Sequence, residues 1–368
     1  MRRRCFRFFL FLCLFFFAAG CWDQRVIERM EFIATAGVDA RPEGRILLGV
    51  ITPAVEQGGK PKPHLYLTEV DSLRQGRERL RLQSGGELEA GKMEQIFFGE
   101  EMARRGIVDY IDIFARDAFN PVQAHLGVVK GTAEGFLRQA IRWQHLPFCS
   151  LYLDRLLDYG TATGSIPRTD ITRFYVAYYA PGLDPVLPLI RATPSRALLC
   201  GTALFRDDRL VGELNVDETF LLLALCGKAR SHSQAFPIPP DLREEKKALV
   251  VRFVKAGRKM GVRLRAGRPE VSFALSFTGM LVEFRAGTPL KPAELRRLEG
   301  YIARALVGEA ERVWATLRRL NVDPVGIGNA VRARYYDFWE GHDWRRVFPE
   351  VKAGFRVKGD LVNNGAIR

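Results

Sequence analysis

The sequence predicts an α+β protein of several domains, with mixed and antiparallel sheets, packed helices, and a C-terminal antiparallel sheet covered by one long helix. Three observations lead there. Strand-like and helix-like periodicities alternate through the first half of the 368 residues. A run of β-rich segments joined by short glycine-containing turns begins near Ala248, and an amphipathic stretch from Pro292 to about Leu320 follows it. Hydrophobic residues make up 47% of the chain, enough for real cores, and the length allows two or three domains.

The N-terminus has a different grammar. Arg2, Arg3, Arg4 and Arg7 precede an unbroken apolar run from Phe8 to Phe17, then Ala18-Ala19-Gly20-Cys21. Ten apolar residues in helical form span only about 15 Å, half a bilayer core, so residues 1–20 read as a cleaved signal segment and not a permanent span. The Gly-Cys pair after small residues resembles a lipobox, although Ala18 stands where Leu is commonest. Cys21 is therefore the expected lipid-bearing first residue of the mature chain. The competing reading is an ordinary cleaved signal with a chance cysteine. A diacylglyceryl anchor supplies the two chains that stable membrane attachment needs.

Residues 21–195 are expected to form an N-terminal α/β domain. Glu31–Val38 and Arg45–Ile51 read as strands around the turn signal Arg41-Pro42-Glu43-Gly44. Asp71 is placed to cap a helix through Gln83, Gln95–Phe98 is a strand, and a helix follows around Met102 and Ala103. Ile107, Tyr110, Ile111 and Phe114 recur at helical spacing; Val122–Val129 is a strand, and Thr132 opens a helix through Trp143. From Thr169, the positions Ile171, Phe174, Tyr175 and Tyr178 suit a helix ended by Pro181-Gly182. A middle hairpin–helix unit is expected over 196–240: strands Leu199–Phe205 and Leu210–Leu214 flank Asp207-Asp208, Asp217 caps a short helix through Cys226, and Ala235–Pro240 reads as a linker.

Residues 241–368 are expected to form the sheet-plus-helix domain. Strands are placed at Ala248–Val254, Val262–Ala266, Val271–Thr278 and Met280–Phe284. Proline at Pro292 suits a first helical turn, and Leu298, Ile302, Leu306, Val313 and Leu317 mark one face of the long helix, opposite Arg296, Arg304, Glu311 and Arg318. A membrane-surface helix is the alternative, but the adjoining strands need a cover for their apolar face.

Removing the signal arginines lowers the formal charge from +14 to +10. Either the excess cations attract anionic lipid head groups or they only keep the surface solvated. A nucleic-acid partner is not expected, since no basic motif interleaved with aromatics is found. Cys149, Cys200 and Cys226 are too widely spaced for a zinc site or a paired disulfide framework and sit among apolar neighbours, so they read as small buried hydrophobes. The five histidines form no metal pattern. Glu100-Glu101, Asp207-Asp208 and Glu244-Glu245 are adjacent in sequence, which places them on different faces; they read as turn or cap residues and not as a catalytic carboxylate pair. Gly326-Ile327-Gly328 lacks a third glycine and reads as a turn. No catalytic residue, metal ligand or cofactor is predicted.

Several segments, taken in order, resemble the Ger(x)C lipoproteins, the C subunits of nutrient germinant receptors. They are Gly20-Cys21-Trp22-Asp23; the stretch from Phe98 to Gly106 around Gly99-Glu100-Glu101-Met102-Ala103; Gly201 to Gly212 followed by Glu218-Thr219; and Asp323-Pro324-Val325-Gly326-Ile327-Gly328, with Ile327 where the family usually carries Phe. Trp339 and Trp344 lie in the matching tail. The resemblance implies a three-domain, non-enzymatic lipoprotein on the outer face of the cytoplasmic (spore inner) membrane, acting beside two membrane-spanning partners, the A and B subunits, in assembly or signal coupling. Trp22, Asp23, Arg25 and Glu28, next to the anchor, are the expected contacts with head groups or partners. Two rivals are a solute-binding lipoprotein of a transporter, which needs two hinged doubly wound lobes, and an anchored hydrolase, which needs a nucleophile and base in a cleft.

Overall fold

A computed structural model describes residues 29–54, 62–116, 120–143, 145–238, 249–283 and 291–362. The chain builds two main sheets. The larger has eight strands in the order β10-β9-β8-β7-β6-β2-β3-β4: β2 (Thr35–Ala40), β3 (Ile46–Ala54), β4 (Lys62–Val70), β6 (Gln95–Gly99), β7 (His125–Val129), β8 (Val186–Ala192), β9 (Ala197–Arg206) and β10 (Arg209–Leu214). Its central strands β2, β6, β7 and β8 run parallel, and the flanking pairs are antiparallel. A short parallel pair, β1 (Met30–Phe32) with β5 (Glu87–Glu89), lies beside it.

Helices cover both faces of this sheet. One face packs with α1 (Leu73–Arg81), α2 (Glu100–Arg105), α3 (Val108–Arg116) and α6 (Ile171–Tyr179) around Val38, Ile96, Phe98 and Phe205. The other packs with α4 (Ala133–Ala140) and α5 (Cys149–Ala162) around Ile51, Phe97, Val129 and Ile190. Two covered faces explain why β6 is buried at every position.

The second sheet has the order β11-β12-β13-β14, with β11 (His232–Phe236), β12 (Leu249–Arg265), β13 (Arg268–Glu283) and β14 (Lys352–Val362). The 29-residue helix α8 (Pro292–Leu320) lies along one face and buries Leu298, Ile302, Leu306, Val313 and Leu317, the stripe its periodicity predicts. At 1.5 Å per residue it is about 44 Å long. Packed into the core under this sheet are α7 (Val216–Leu225), α9 (Ile327–Arg334), α10 (Tyr336–Glu340) and α11 (Trp344–Val347).

Several expectations change in detail. Ser72, not Asp71, caps α1 by accepting from the Gln75 amide at 3.3 Å, and Asn215, not Asp217, caps α7 in a reciprocal box with Glu218. In both cases the true cap has extended backbone, which lets its side chain turn back to the first helical turn. The four short C-terminal strands are two long ones, because Lys255 to Gly261 continue the pleat with polar residues on a wet face. Ala266 and Gly267, both at positive φ, close that hairpin in two residues. The sheet is also mixed, since β14 runs parallel to β13. Residues Ala235 and Phe236 of the expected linker belong to β11, while 239–248 lie outside the described residues.

The expected middle segment divides between the two bodies. Its hairpin β9–β10 forms the edge of the eight-stranded sheet, whereas α7 and β11 belong to the core under the second sheet. The sequence patterns mark no strand at β4, β8 or β14 and no helix at α5. Pro188 interrupts the apolar run of β8, and proline argues against a strand on sequence grounds.

Candidate functional site

A cluster of buried charges lies where the two bodies meet. It starts from a local demand. Helix α9 opens at Gly326, whose φ of 78° is left-handed, and the first amides of the helix need acceptors. Asp323 supplies them: one carboxylate oxygen accepts from Gly326 at 2.8 Å and Ile327 at 3.0 Å, the other from Gly328 at 2.8 Å. The second oxygen also accepts from the Trp344 indole N–H at 3.3 Å. Burial, with the charge of Asp184 alongside, pushes the Asp323 carboxyl up to about 7 against the pull of the three backbone donors.

Asp184, in the turn between α6 and β8, is the counterpart from the first body and its side chain is 2% exposed. It accepts from the Asp323 amide at 2.6 Å, and its own amide donates to the Asp323 carbonyl at 3.0 Å. Arg345, on α11, grips Asp184 with both terminal nitrogens, at 2.7 and 2.6 Å. The same guanidinium reaches Asp207 in the β9–β10 turn at 2.9 Å and the Asn321 carbonyl at 3.2 Å. Burial works against the Arg345 charge, but the hydrogen bonds and charges of Asp184 and Asp207 outweigh it and hold the group above its ordinary value. Asp208, next along the turn, accepts from the Val108 amide at 3.3 Å and ties the hairpin to α3.

Backbone packing reinforces the lock. A Cβ on Gly182, at φ 75°, would lie 2.6 Å from Gly328 backbone, and one on Gly328 would lie 2.5 Å from the Gly182 Cα and 2.6 Å from the Trp344 indole nitrogen. Only glycines let these chains approach so closely. Beside the lock is a cavity of about 310 Å³ lined by Tyr178, Tyr179, Pro181, Trp339, Trp344 and Arg345. That is at the small end of ligand sites, roughly 300–1,000 Å³. Chemically the cluster holds and orients: Asp323 and Asp184 are used by amides and a guanidinium.

Asp207-Asp208 and Glu100-Glu101 are turn and helix-start residues, as read from the sequence. Gly326-Ile327-Gly328 is more than a turn, because its amides are the ones Asp323 captures. Asp184, Asp323 and Arg345 were not predicted as a set. The one sequence signal is an acid three residues before the glycine that opens a helix, as in Asp323-Pro324-Val325-Gly326. Cys21, Trp22, Asp23, Arg25 and Glu28 all lie outside the described residues. Cys149 is buried, and Cys200 and Cys226 are half-buried; burial pushes the Cys149 and Cys226 thiols up to about 11, which keeps them protonated. His232 pairs with Asp217 at 3.0 Å and stacks on Phe220. No group of three metal-ligating side chains and no helix long and apolar enough to cross a membrane occurs among the described residues.

Comparison with known proteins places these features. Residues 23–192 match the family model described as the spore germination protein N-terminal domain, and residues 200–365 match the one described as spore germination B3/GerAC-like, C-terminal. The chain is 22% identical over 356 residues to the spore germination protein GerQC of Bacillus cereus, covering 96% of this chain and 97% of that one. It is 22% identical over 387 residues to spore germination protein B3 of Bacillus subtilis (strain 168), covering 98% and 97%. The crystal structure of the GerBC protein shares the fold, with a TM-score of 0.60 at 17% identity over 89% of this chain and 97% of that one.

Proposed function

The chain belongs to the Ger(x)C spore germination family, and from that premise we propose that it is the lipid-anchored, non-enzymatic C subunit of a nutrient germinant receptor, working in assembly or signal coupling beside membrane-spanning A and B subunits. The observation that carries the reading is the match of both family segments, in order, over nearly the whole chain. The boundary between those segments falls between β8 and β9, which are paired strands of one sheet. A displacement of one segment is therefore felt by the other, which suits a coupling component.

The anchor at Cys21 holds the body at the outer face of the membrane, with Trp22, Asp23, Arg25 and Glu28 nearest the head groups and partner loops. Tethering raises the effective concentration of partners confined to the same surface, so a modest interface suffices for assembly. The solute-binding alternative asks for two hinged doubly wound lobes. This fold instead pairs a single eight-stranded mixed sheet with a four-stranded sheet under a long helix.

Deleting the gene in a spore former tests the reading. Spores should form normally yet lose the response to particular nutrients, and the A and B subunits should co-purify with the tagged wild-type protein. Normal germination in every nutrient that triggers the parent, with sister receptors also removed, would sink it. Cys21→Ala should abolish incorporation of labelled fatty acid and weaken the response, with partial recovery on overproduction.

A further inference from the structure

The outer face of the second sheet is bare of any covering element among the described residues, and it is strongly basic. On β12 the outward positions are Lys255, Gly257, Lys259, Gly261 and Arg263. Their partners across β13 are Thr278, Ser276, Ala274, Ser272 and Glu270, and next to these on β14 lie Asp360, Lys358, Arg356, Gly354 and Lys352. The alternating positions Val271, Phe273, Leu275 and Phe277 are buried in the core that α8 covers, so along β13 the two faces divide cleanly over this stretch.

Three features of this face bear on a partner. Six cations, Lys255, Lys259, Arg263, Lys352, Arg356 and Lys358, stand along β12 and β14 on either side of β13, while its acids are Glu270, within 4.0 Å of Arg265, and Asp360, within 3.5 Å of Lys358. The floor between the rows is made of small residues, Gly261, Ser272, Ala274 and Gly354, and a Cβ on Gly354 would meet nothing within 4 Å. The cations therefore rim a shallow trough of about 740 Å³. Strand spacing sets the rows about 10 Å apart, comparable to the reach of charge attraction at physiological salt.

We propose that this face binds an anionic lipid surface, with Lys259, Arg263, Lys352 and Arg356 at the head groups. A protein partner is less well matched. Protein interfaces take their affinity from desolvated aromatic and aliphatic anchors; the outward positions along the trough carry none, and the aliphatic residues of this face, Met280 and Val362, stand beyond its far end. A fluid anionic surface needs no such anchors, because mobile head groups adapt to a row of long flexible cations. The inference goes beyond the receptor reading and does not require it, since it concerns vesicles and this chain alone.

The test is lysine footprinting of the full chain reconstituted in vesicles, with acetylation followed by mass spectrometry. In vesicles rich in phosphatidylglycerol, Lys259, Lys352 and Lys358 should react about fivefold more slowly than in phosphatidylcholine vesicles, and high salt should restore the rate, as for any contact made within a Debye length. Lys92, exposed on the first body, reports on general labelling and should change little. The double substitution Lys259→Glu with Arg356→Glu, both at exposed positions, should abolish the protection of Lys352 and Lys358. Equal rates in the two kinds of vesicle would overturn the proposal. So would protection by soluble polyglutamate without protection by lipid, which would assign the face to an acidic protein.

Discussion

The two sheets use the same β-forming residues to opposite ends. In β6 the neighbours Phe97 and Phe98 are both fully buried, one on each face of the eight-stranded sheet. In β13 Phe273 is buried while Ser272 and Ala274 on either side of it are exposed. The difference lies in the cover. Helices on both faces of a largely parallel sheet leave no wet side, so its strands read as continuous apolar runs, whereas a sheet with one helix layer alternates. The first sheet is therefore enclosed in its own body, and the second leaves one face open among the described residues.

The strongest test of that contrast is a pair of neighbouring truncations. Phe97→Ala and Phe98→Ala should each destabilise the protein by about 3–5 kcal/mol in chemical denaturation, because each opens a cavity in a different core. Among Ser272, Phe273 and Ala274 of β13, only Phe273→Ala should approach that loss. If either β6 substitution proved silent, one face of the first sheet would be less well covered than described.

Next in size is the junction between the bodies. Arg345→Ala leaves the Asp184 carboxylate buried without its bidentate partner. The expected loss is about 2–3 kcal/mol, below the roughly 3–5 of a fully buried pair because the guanidinium is about a third exposed. The two bodies should also begin to melt separately, giving two calorimetric transitions where the wild type is expected to give one. A single unshifted transition would mean that packing at Gly182 and Gly328 joins them without the ion pair.

A smaller effect depends on pH. Burial raises the folded-state value of Asp323 to about 7 from its ordinary 3.8. The folded state therefore binds this proton more tightly than the unfolded state does. Its contribution is fully present below about 4 and is lost as pH rises toward 7, with a slope of at most about 1.4 kcal/mol per unit. Asp323→Asn should be less stable at low pH, having given up an acceptor, and should lack that slope. Parallel pH profiles for the two proteins would refute a titrating Asp323. Smallest of all should be Ser272→Ala and Ala274→Ser on the wet face of β13, each within about 0.5 kcal/mol of the parent.

Legibility in the sequence follows the range of the interactions involved. Helix α8 was bounded at Pro292 and Leu320 because its stripe and its starting proline are local features. The β9–β10 hairpin was equally plain around Asp207-Asp208. Its destination was not, since pairing with β8 in the first sheet depends on a strand that Pro188 disguised. Strand β14 escaped notice because its partner β13 lies across the whole of α8, and parallel pairing leaves no turn signal between the strands.

By itself, then, the sequence determined the α+β class, the long helix, the hairpin, the basic balance and the family segments, all of which are written in periodicity, turns and short motifs. Tertiary structure alone decided which sheet each strand joins, which face of the second sheet stays wet, and that Asp184 meets Arg345 across 161 residues of chain. The physical reason is that a periodic pattern records the demand of a single element for burial or water. A buried carboxylate's partner is chosen only when folding removes the water that would otherwise have satisfied it.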